Sequence, residues 1–355
     1  MRRPGGEEIY RALRAGRGTA GLPAGRHTAG WREIMKKGEA RLLEHIEKTF
    51  RFPLDRRLLL GPGDDCAVLR HGPGRDLVIT TDELVEGTHY LGRFATPEQI
   101  ARKLTRINLS DLASMGEVAP VSCVVGSGLR KDTPADFAPR FMKALKEEAL
   151  RFGISIAGGN LAGARENHFY MTVWGESGKS PLVTRYGAKP GDLLLNVGPL
   201  GQAAAGLEIL MKGSAAQKKK FPGLVKAFWL PEPLMAAGAL IGRRALASAM
   251  LDNSDGLARS AAIIAELSRC RVLVSVGEGA CAPELRAYSA LKKLPWRHYA
   301  VNGGEDYGLV FTTPAAKLAA VKKLLPAAFV VGRLEKGSGA VIENFNGKVK
   351  SFEHF

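Results

Sequence analysis

The sequence predicts an α/β protein of two domains. Three observations carry this reading. At 355 residues the chain is long for one compact core. Short apolar runs of strand type alternate with segments whose apolar residues recur every three or four positions, the pattern of mixed α/β domains. A glycine-containing stretch, Gly175-Glu176-Ser177-Gly178, then interrupts the pattern near the middle and reads as a hairpin or linker. The division expected is an extension over 1–34, an N-terminal domain over 35–178 and a C-terminal α/β domain over 179–355.

Composition narrows the class. Residues 1–34 are rich in Gly, Arg and Ala without apolar periodicity, and read as a disordered basic extension. Residues 1–37 hold seven Arg and two Lys against three Glu, a net +6, which leaves +10 of the total +16 for the rest. That bias suits nucleic acid or anionic small substrates. Lys218-Lys219-Lys220 is a tight basic run without interleaved aromatics, and reads as a solvated loop rather than a nucleic-acid groove. No apolar run reaches the ~20 residues of a membrane-spanning helix. The four cysteines, Cys66, Cys123, Cys270 and Cys281, form no C-x-x-C pair. They fit reduced thiols in a cytoplasm and no zinc site.

Along the chain, an amphipathic segment follows Met35, with Leu42, Leu43, Ile46 and Phe50 on one side. Gly61-Pro62-Gly63-Asp64-Asp65 reads as a tight turn carrying two adjacent carboxylates, whose repulsion a bound cation would relieve. Val78-Ile79-Thr80-Thr81 reads as a buried strand ending in Asp82, followed by a loop with Gly87 and His89 that could hold a cation or a phosphate. Residues 98–115 read as a helix whose Ile100, Leu104, Ile107 and Met115 form one apolar stripe. Asp111 falls near the centre of that stripe. A carboxylate there needs a cation, a metal or several donors.

Val121–Val125 reads as a strand and Phe137–Phe152 as a helix. A strand over 154–157 runs into Gly158-Gly159-Asn160, where paired glycines permit close approach to a phosphate or simply a turn. Phe169–Trp174 reads as a further strand. Gly175–Ser180 imitates a Walker A loop, but has two residues between its glycines where four are needed. In the second half, Arg185–Asp192 is a basic loop before the strand Leu193–Val197, and residues 203–212 read as a helix. Asp252-Asn253-Ser254-Asp255 opens a further helix, where Ser254 or Asp255 could serve as N-cap while Asp252 is not needed for one. Strands follow at Val272–Val276, Tyr307–Phe311 and Phe329–Val331, and Asn302–Asp306 is an acidic, glycine-rich turn.

Scattered carboxylates without Cys or paired His favour Mg²⁺ over zinc. No nucleophile elbow surrounds Ser254. Magnesium, glycine turns and a basic loop together suggest phosphoryl transfer, in which positioning and charge neutralisation do the catalysis.

The ordered motifs GPGDDCAVL, TTDELVEGTHY, INLSDLASMG, AGGN, RYGAKPGD, LDNSDGL and GGEDYGLVF, with the closing Phe352-Glu353-His354-Phe355, resemble one family over about residues 38–355. It is the thiamine-monophosphate kinase family, of the superfamily that includes aminoimidazole-ribonucleotide synthetase. The resemblance implies an N-terminal mixed-sheet domain that pairs with its twin in a homodimer, and a C-terminal α/β domain. It implies several Mg²⁺ ions held by Asp65, Thr80, Thr81, Asp82, Asp111, Asp252 and Asp255. Asn160 would join them where many relatives carry Asp. It assigns ATP contacts to Gly159, Arg185 and Ser254, and the thiamine end of the substrate to His89, Glu305 and Phe352. The implied reaction moves the γ-phosphoryl of ATP directly to thiamine monophosphate, with no protein nucleophile. Two other readings compete. One is a sibling ATP-using enzyme. Selenophosphate synthetase expects a reactive Cys or selenocysteine early in the chain, and residues 1–60 hold none; the hydrogenase-maturation relative expects a C-terminal Cys, where this sequence has Phe355. The other is a basic nucleic-acid-binding protein, which leaves the ordered acidic motifs unexplained.

Overall fold

The computed structural model describes residues 56–72, 74–345, 347 and 349, with Leu43, Ile46, Thr49 and Phe50. The extension read over residues 1–34, Leu42 and Phe352 lie outside the described residues.

Two six-stranded sheets divide the described chain. The first contains β1 (Leu58–Leu60), β2 (Ala67–Gly72), β3 (Arg75–Val85), β4 (Val118–Leu129), β5 (Ser155–Gly163) and β6 (His168–Ser177). Their order is β1-β2-β3-β6-β4-β5, antiparallel except where β4 meets β5. Helices α1 (Pro97–Ser114) and α2 (Phe137–Arg151) accompany this sheet. The second sheet contains β7 (Asp192–Val197), β8 (Ala249–Asp252), β9 (Arg271–Val274), β10 (Leu309–Pro314), β11 (Phe329–Glu335) and β12 (Gly339–Ile342), in the order β12-β9-β11-β7-β10-β8. Its helices are α3 (Gln202–Lys212), α4 (Ala215–Lys220), α5 (Pro222–Trp229), α6 (Met235–Arg243), α7 (Leu257–Ser268), α8 (Pro283–Lys292), α9 (Trp296–Asn302) and α10 (Leu318–Leu324).

Helix α1 joins the halves. Thr96 and Gln99 form a capping box ahead of it, and Pro97 occupies its first turn. Its apolar stripe enters the core of the first half, with Ile100, Leu104 and Ile107 packed among Val78, Leu84 and Met171. The sequence pattern leaves the other side of α1 for solvent, but fourteen of its 18 residues are buried because elements of the second half cover it. Gly238 of α6 approaches so closely that a Cβ there would stand 2.0 Å from the Ala113 carbonyl oxygen. Arg106 is the polar node of this contact. It reaches Glu148 of α2 at 2.5 Å, the Pro231 carbonyl at 3.2 Å and Glu232 at 3.1 Å.

Several local readings change. Strand β3 continues three residues past Asp82, because Glu83, Leu84 and Val85 pair with β6 and Leu84 is buried. Gly158 and Gly159 lie inside β5, not in a turn after it, paired with Val124 and Val125 of β4. Lys218–Lys220 end helix α4 instead of forming a loop, since Ser214 and Gln217 make a capping box ahead of it. Gly256, not Ser254 or Asp255, stands at the N-cap of α7, with no side-chain cap.

Candidate active site

The acids meet where α1, the 61–66 turn and the start of the second half converge. Strand β3 brings Thr80 to α1, and Thr80 Oγ1 donates to Asp111 at 2.6 Å. The glycine turn before β2 brings Asp65, which accepts from Ser114 Oγ at 2.6 Å. Strand β8 ends in Asp252, which accepts from Ser110 at 2.8 Å and from Ser254 at 2.9 Å. Carboxylate oxygens of Asp65, Asp111 and Asp252 all lie within 4.8 Å of one another. Asp111 therefore has the company that its place on an apolar stripe demanded: a hydroxyl donor and two more acids.

The electrostatics follow from burial and like charge. Burial first, then Asp252 and Glu305, pushes Asp82 up to about 8. Burial and then Asp65 raise Asp252 to about 7, and the same two causes raise Asp64 to about 7. Asp111 moves well above the usual carboxylate range through burial, Asp252 and Asp82. Asp255 adds to the field on Asp82. Arg185 answers part of this charge: its Nε donates to Asp65 at 3.0 Å and its backbone N–H to Asp64 at 3.1 Å. Cys66 is buried beside the acids, and burial and the Asp111 charge push its thiol far up, so it does not offer a thiolate.

The donor set fits Mg²⁺: several hard carboxylate oxygens, hydroxyls nearby and no soft ligand. Asp65, Asp111 and Asp252 have oxygens close enough to share such an ion, and Asp82 lies in the field of Asp252.

A second cluster adjoins the first. Glu305 extends from a loop where both it and Tyr307 adopt the left-handed region, with φ of 68° and 50°. Asp306 between them anchors that loop by accepting from the backbone N–H groups of Gly201 and Ala203 at the start of α3. Glu305 makes an ion pair with Lys103 of α1. A crevice of about 140 Å³ is lined by His89, Tyr90, Leu207, Phe228 and Trp229 among others. His89 Nδ1 accepts from the Val85 N–H at 2.9 Å, which puts the neutral ring's proton on Nε2.

Of the residues read from the sequence, the structure thus gathers Asp65, Thr80, Asp82, Asp111, Arg185, Asp252, Ser254, Asp255 and Glu305, with His89 in the adjoining crevice. Three others lie apart. The Thr81 side chain is on the opposite face of β3, where it donates to the Met171 carbonyl at 3.1 Å and meets Thr172 at 3.0 Å. Gly159 and Asn160 sit on the exposed strand β5, in the cross-sheet rows of Asp82 and Glu83. Three strand spacings place them roughly 14 Å from β3.

Sequence reasoning missed Lys103, Ser110 and Ser114. With Arg106 they form a polar row along α1 at three- and four-residue spacing, and every member reaches a carboxylate. The signal was that row itself, which looks like a solvated face until the second half covers it.

Two family models match the chain in succession: AIR synthase related protein, N-terminal domain, over residues 63–176, and AIR synthase related protein, C-terminal domain, over residues 189–343. The fold is that of the AIR synthase-related class. Within it, a protein of Mycobacterium tuberculosis (strain CDC 1551 / Oshkosh) named thiamine-monophosphate kinase is 36% identical over 283 residues, covering 78% of this chain and 81% of its own. A protein of the same name from Aquifex aeolicus (strain VF5) is 28% identical over 322 residues, covering 91% of this chain and 99% of its own. Among solved structures, AaThiL complexed with AMPPCP and TMP superposes with a TM-score of 0.78 at 26% identity, covering 91% of this chain and 98% of that one. The chain belongs to the thiamine-monophosphate kinase family.

Proposed function

We propose that the site transfers the γ-phosphoryl group of ATP to the phosphate of thiamine monophosphate, giving thiamine diphosphate. The observation that carries this is the meeting of Asp65, Asp111 and Asp252 from three separate elements, near Glu305 and the crevice that His89 lines. Mg²⁺ held by Asp65, Asp82, Asp111 and Asp252, with Thr80 and Asp255 contributing, would neutralise charge between two phosphorylated reactants, while Thr81 and Asn160, which lie apart, would serve only a separate ion.

The chain's own residues supply the rest. Ser110, Ser114 and Thr80 orient the carboxylates through their hydroxyls. Arg185, now paired with Asp65, stands where a nucleotide phosphate would compete for its guanidinium. Ser254 and Gly159 complete the ATP contacts. His89, Glu305 and Phe352 hold the thiamine end. No residue acts as a covalent nucleophile, so the acceptor phosphate oxygen attacks directly.

The same reading includes a homodimer built on β5. All nine residues of this edge strand are exposed, Ile156 at 42% and Leu161 at 69%. An apolar, unpaired edge of this kind favours a second strand beside it. Such a partner would cover Gly159 and Asn160. The reading also divides the chain at 178/179, between β6 and β7, and places the enzyme in the cytoplasm. No described helix is long and apolar enough to cross a membrane.

The test is direct. Purified protein with Mg·ATP and thiamine monophosphate is expected to form thiamine diphosphate, and a chelator to stop it. Free thiamine should be a poor acceptor, since it lacks the attacking phosphate. A folded, magnesium-supplied sample that makes no thiamine diphosphate would refute the proposal.

A further inference from the structure

Lys103 is fully buried, on a helix shared by both halves. Its Nζ lies 3.6 Å from the centroid of the Phe228 ring and 5.7 Å from that of Trp229. Its one charged partner is the Glu305 carboxylate, and the ammonium makes no other hydrogen bond among the described residues. Removing an ammonium from water is costly, and an apolar side chain of the same volume would commonly serve stability better. Stability alone therefore does not account for this lysine.

Its position suggests what does. Phe228 and Trp229, which flank the ammonium, also line the crevice that holds His89. Glu305 arrives from the other half, on a left-handed backbone that an ordinary residue rarely adopts. Glu305 Oε2 is buried against Lys103, while 29% of the side chain remains exposed. One oxygen is thus committed inward, while part of the side chain stays within reach of a ligand.

We propose that Lys103 is a positioning residue for the acceptor: clamped between Glu305 and the Phe228 ring that lines the crevice, its ammonium holds one carboxylate oxygen and so sets the direction of the other. The acceptor's amino group and thiazolium charge are the chemistry such an oxygen would meet. This inference rests on the assignment of Glu305 to the acceptor in the proposed function. Lys103 touches no reacting atom and acts through Glu305.

The experiment measures acceptor and ATP KM separately for the parent, Lys103→Met, Lys103→Arg, Glu305→Gln and the double variant Lys103→Met/Glu305→Gln, with melting curves to verify folding. Lys103→Met should raise the KM for thiamine monophosphate by roughly 10- to 100-fold, the scale of a lost contact to a charged group. The KM for ATP and kcat should change little, and Lys103→Arg should recover much of the loss. The double variant should match Glu305→Gln alone, since Lys103 has nothing left to position. That pair of variants decides the matter even if Lys103→Met alone does not fold, because the double variant removes both charges and the Gln of Glu305→Gln keeps an amide oxygen able to accept from the ammonium. Parental acceptor KM in Lys103→Met, equal loss for both substrates, or multiplying losses in the double variant would overturn the proposal. A parent that forms no thiamine diphosphate defeats the functional reading instead, so the two failures are distinct.

Discussion

Replacing Asp82 by Asn should make the metal-free protein more stable and the enzyme nearly inactive. Asp82 is buried among Asp252, Glu305 and Asp255, and its carboxyl is raised to about 8. In the unfolded chain the same group ionises near 3.8. At pH 7.5, holding the proton that the unfolded chain releases costs up to roughly 5 kcal/mol, at ~1.36 kcal/mol per unit of displacement. The neighbouring acids share this burden and relax when one charge goes, so about 2 kcal/mol is the gain expected from one Asn. For a chain of this size that is a rise of about 3 °C in melting temperature. The assay is a pair of melting curves for each protein, in chelator and in excess MgCl₂. In chelator the Asp82→Asn variant should melt above the parent. In MgCl₂ the parent should gain stability through metal binding, while the variant gains little. A variant that melts at or below the parent in chelator would refute the claim that Asp82 lies in a cluster of mutually repelling acids.

Three further outcomes are expected. The raised carboxyls Asp64, Asp82 and Asp252 make the folded chain hold protons that the unfolded chain releases. This contribution is greatest below their unfolded values and is lost as pH rises through the folded values of about 7 to 8. In chelator the melting temperature should therefore fall between pH 6 and 8.5, and a rise over that window would contradict the clustering. Arg106→Met should cost about 3 kcal/mol in urea unfolding, because it leaves buried Glu148 with only the more distant Arg102 at 3.9 Å; a loss under ~1 kcal/mol would show that the pair is effectively solvated. Gly238→Ala should cost about 1–3 kcal/mol, since its Cβ would meet the Ala113 carbonyl oxygen at 2.0 Å and force α6 away from α1; unchanged melting would show that the two helices separate freely.

Much of the fold was legible because its signals are local. The apolar stripe of α1, the strand β6 and the helix α2 all show their period within a dozen residues. Asp111 was legible for the same reason, as an acid out of place on an apolar face. The partners of α1 were not. Ser110 owes its role to Asp252, 142 residues on, and nothing near Ser110 announces it. Nothing near Lys103 announces Glu305, and Arg106 meets Glu232 only after 126 residues. The helix ending in Lys218–Lys220 was signalled by the Ser214-x-x-Gln217 cap, but three consecutive lysines obscured it. The glycines of AGGN illustrate the opposite error. Read locally they open a phosphate-binding loop or a turn, whereas pairing with β4 keeps them within the strand.

The polar row on α1 also sets an order of events at the ribosome. Domains tend to fold as they emerge, N-terminal first, at about 5–20 residues per second. The strands and helices of residues 58–177 therefore emerge while Lys103, Arg106 and Ser110 still lack their distant partners. Glu232 follows Arg106 by 126 residues. Glu305 follows Lys103 by about 200 residues, a wait of roughly 10–40 s at that rate. During the wait one flank of α1 stays wet and charged, which suits an unfinished chain better than an apolar flank would. Burial of that flank comes last, so a chain released early carries the acids of its first half without the residues that complete the catalytic centre.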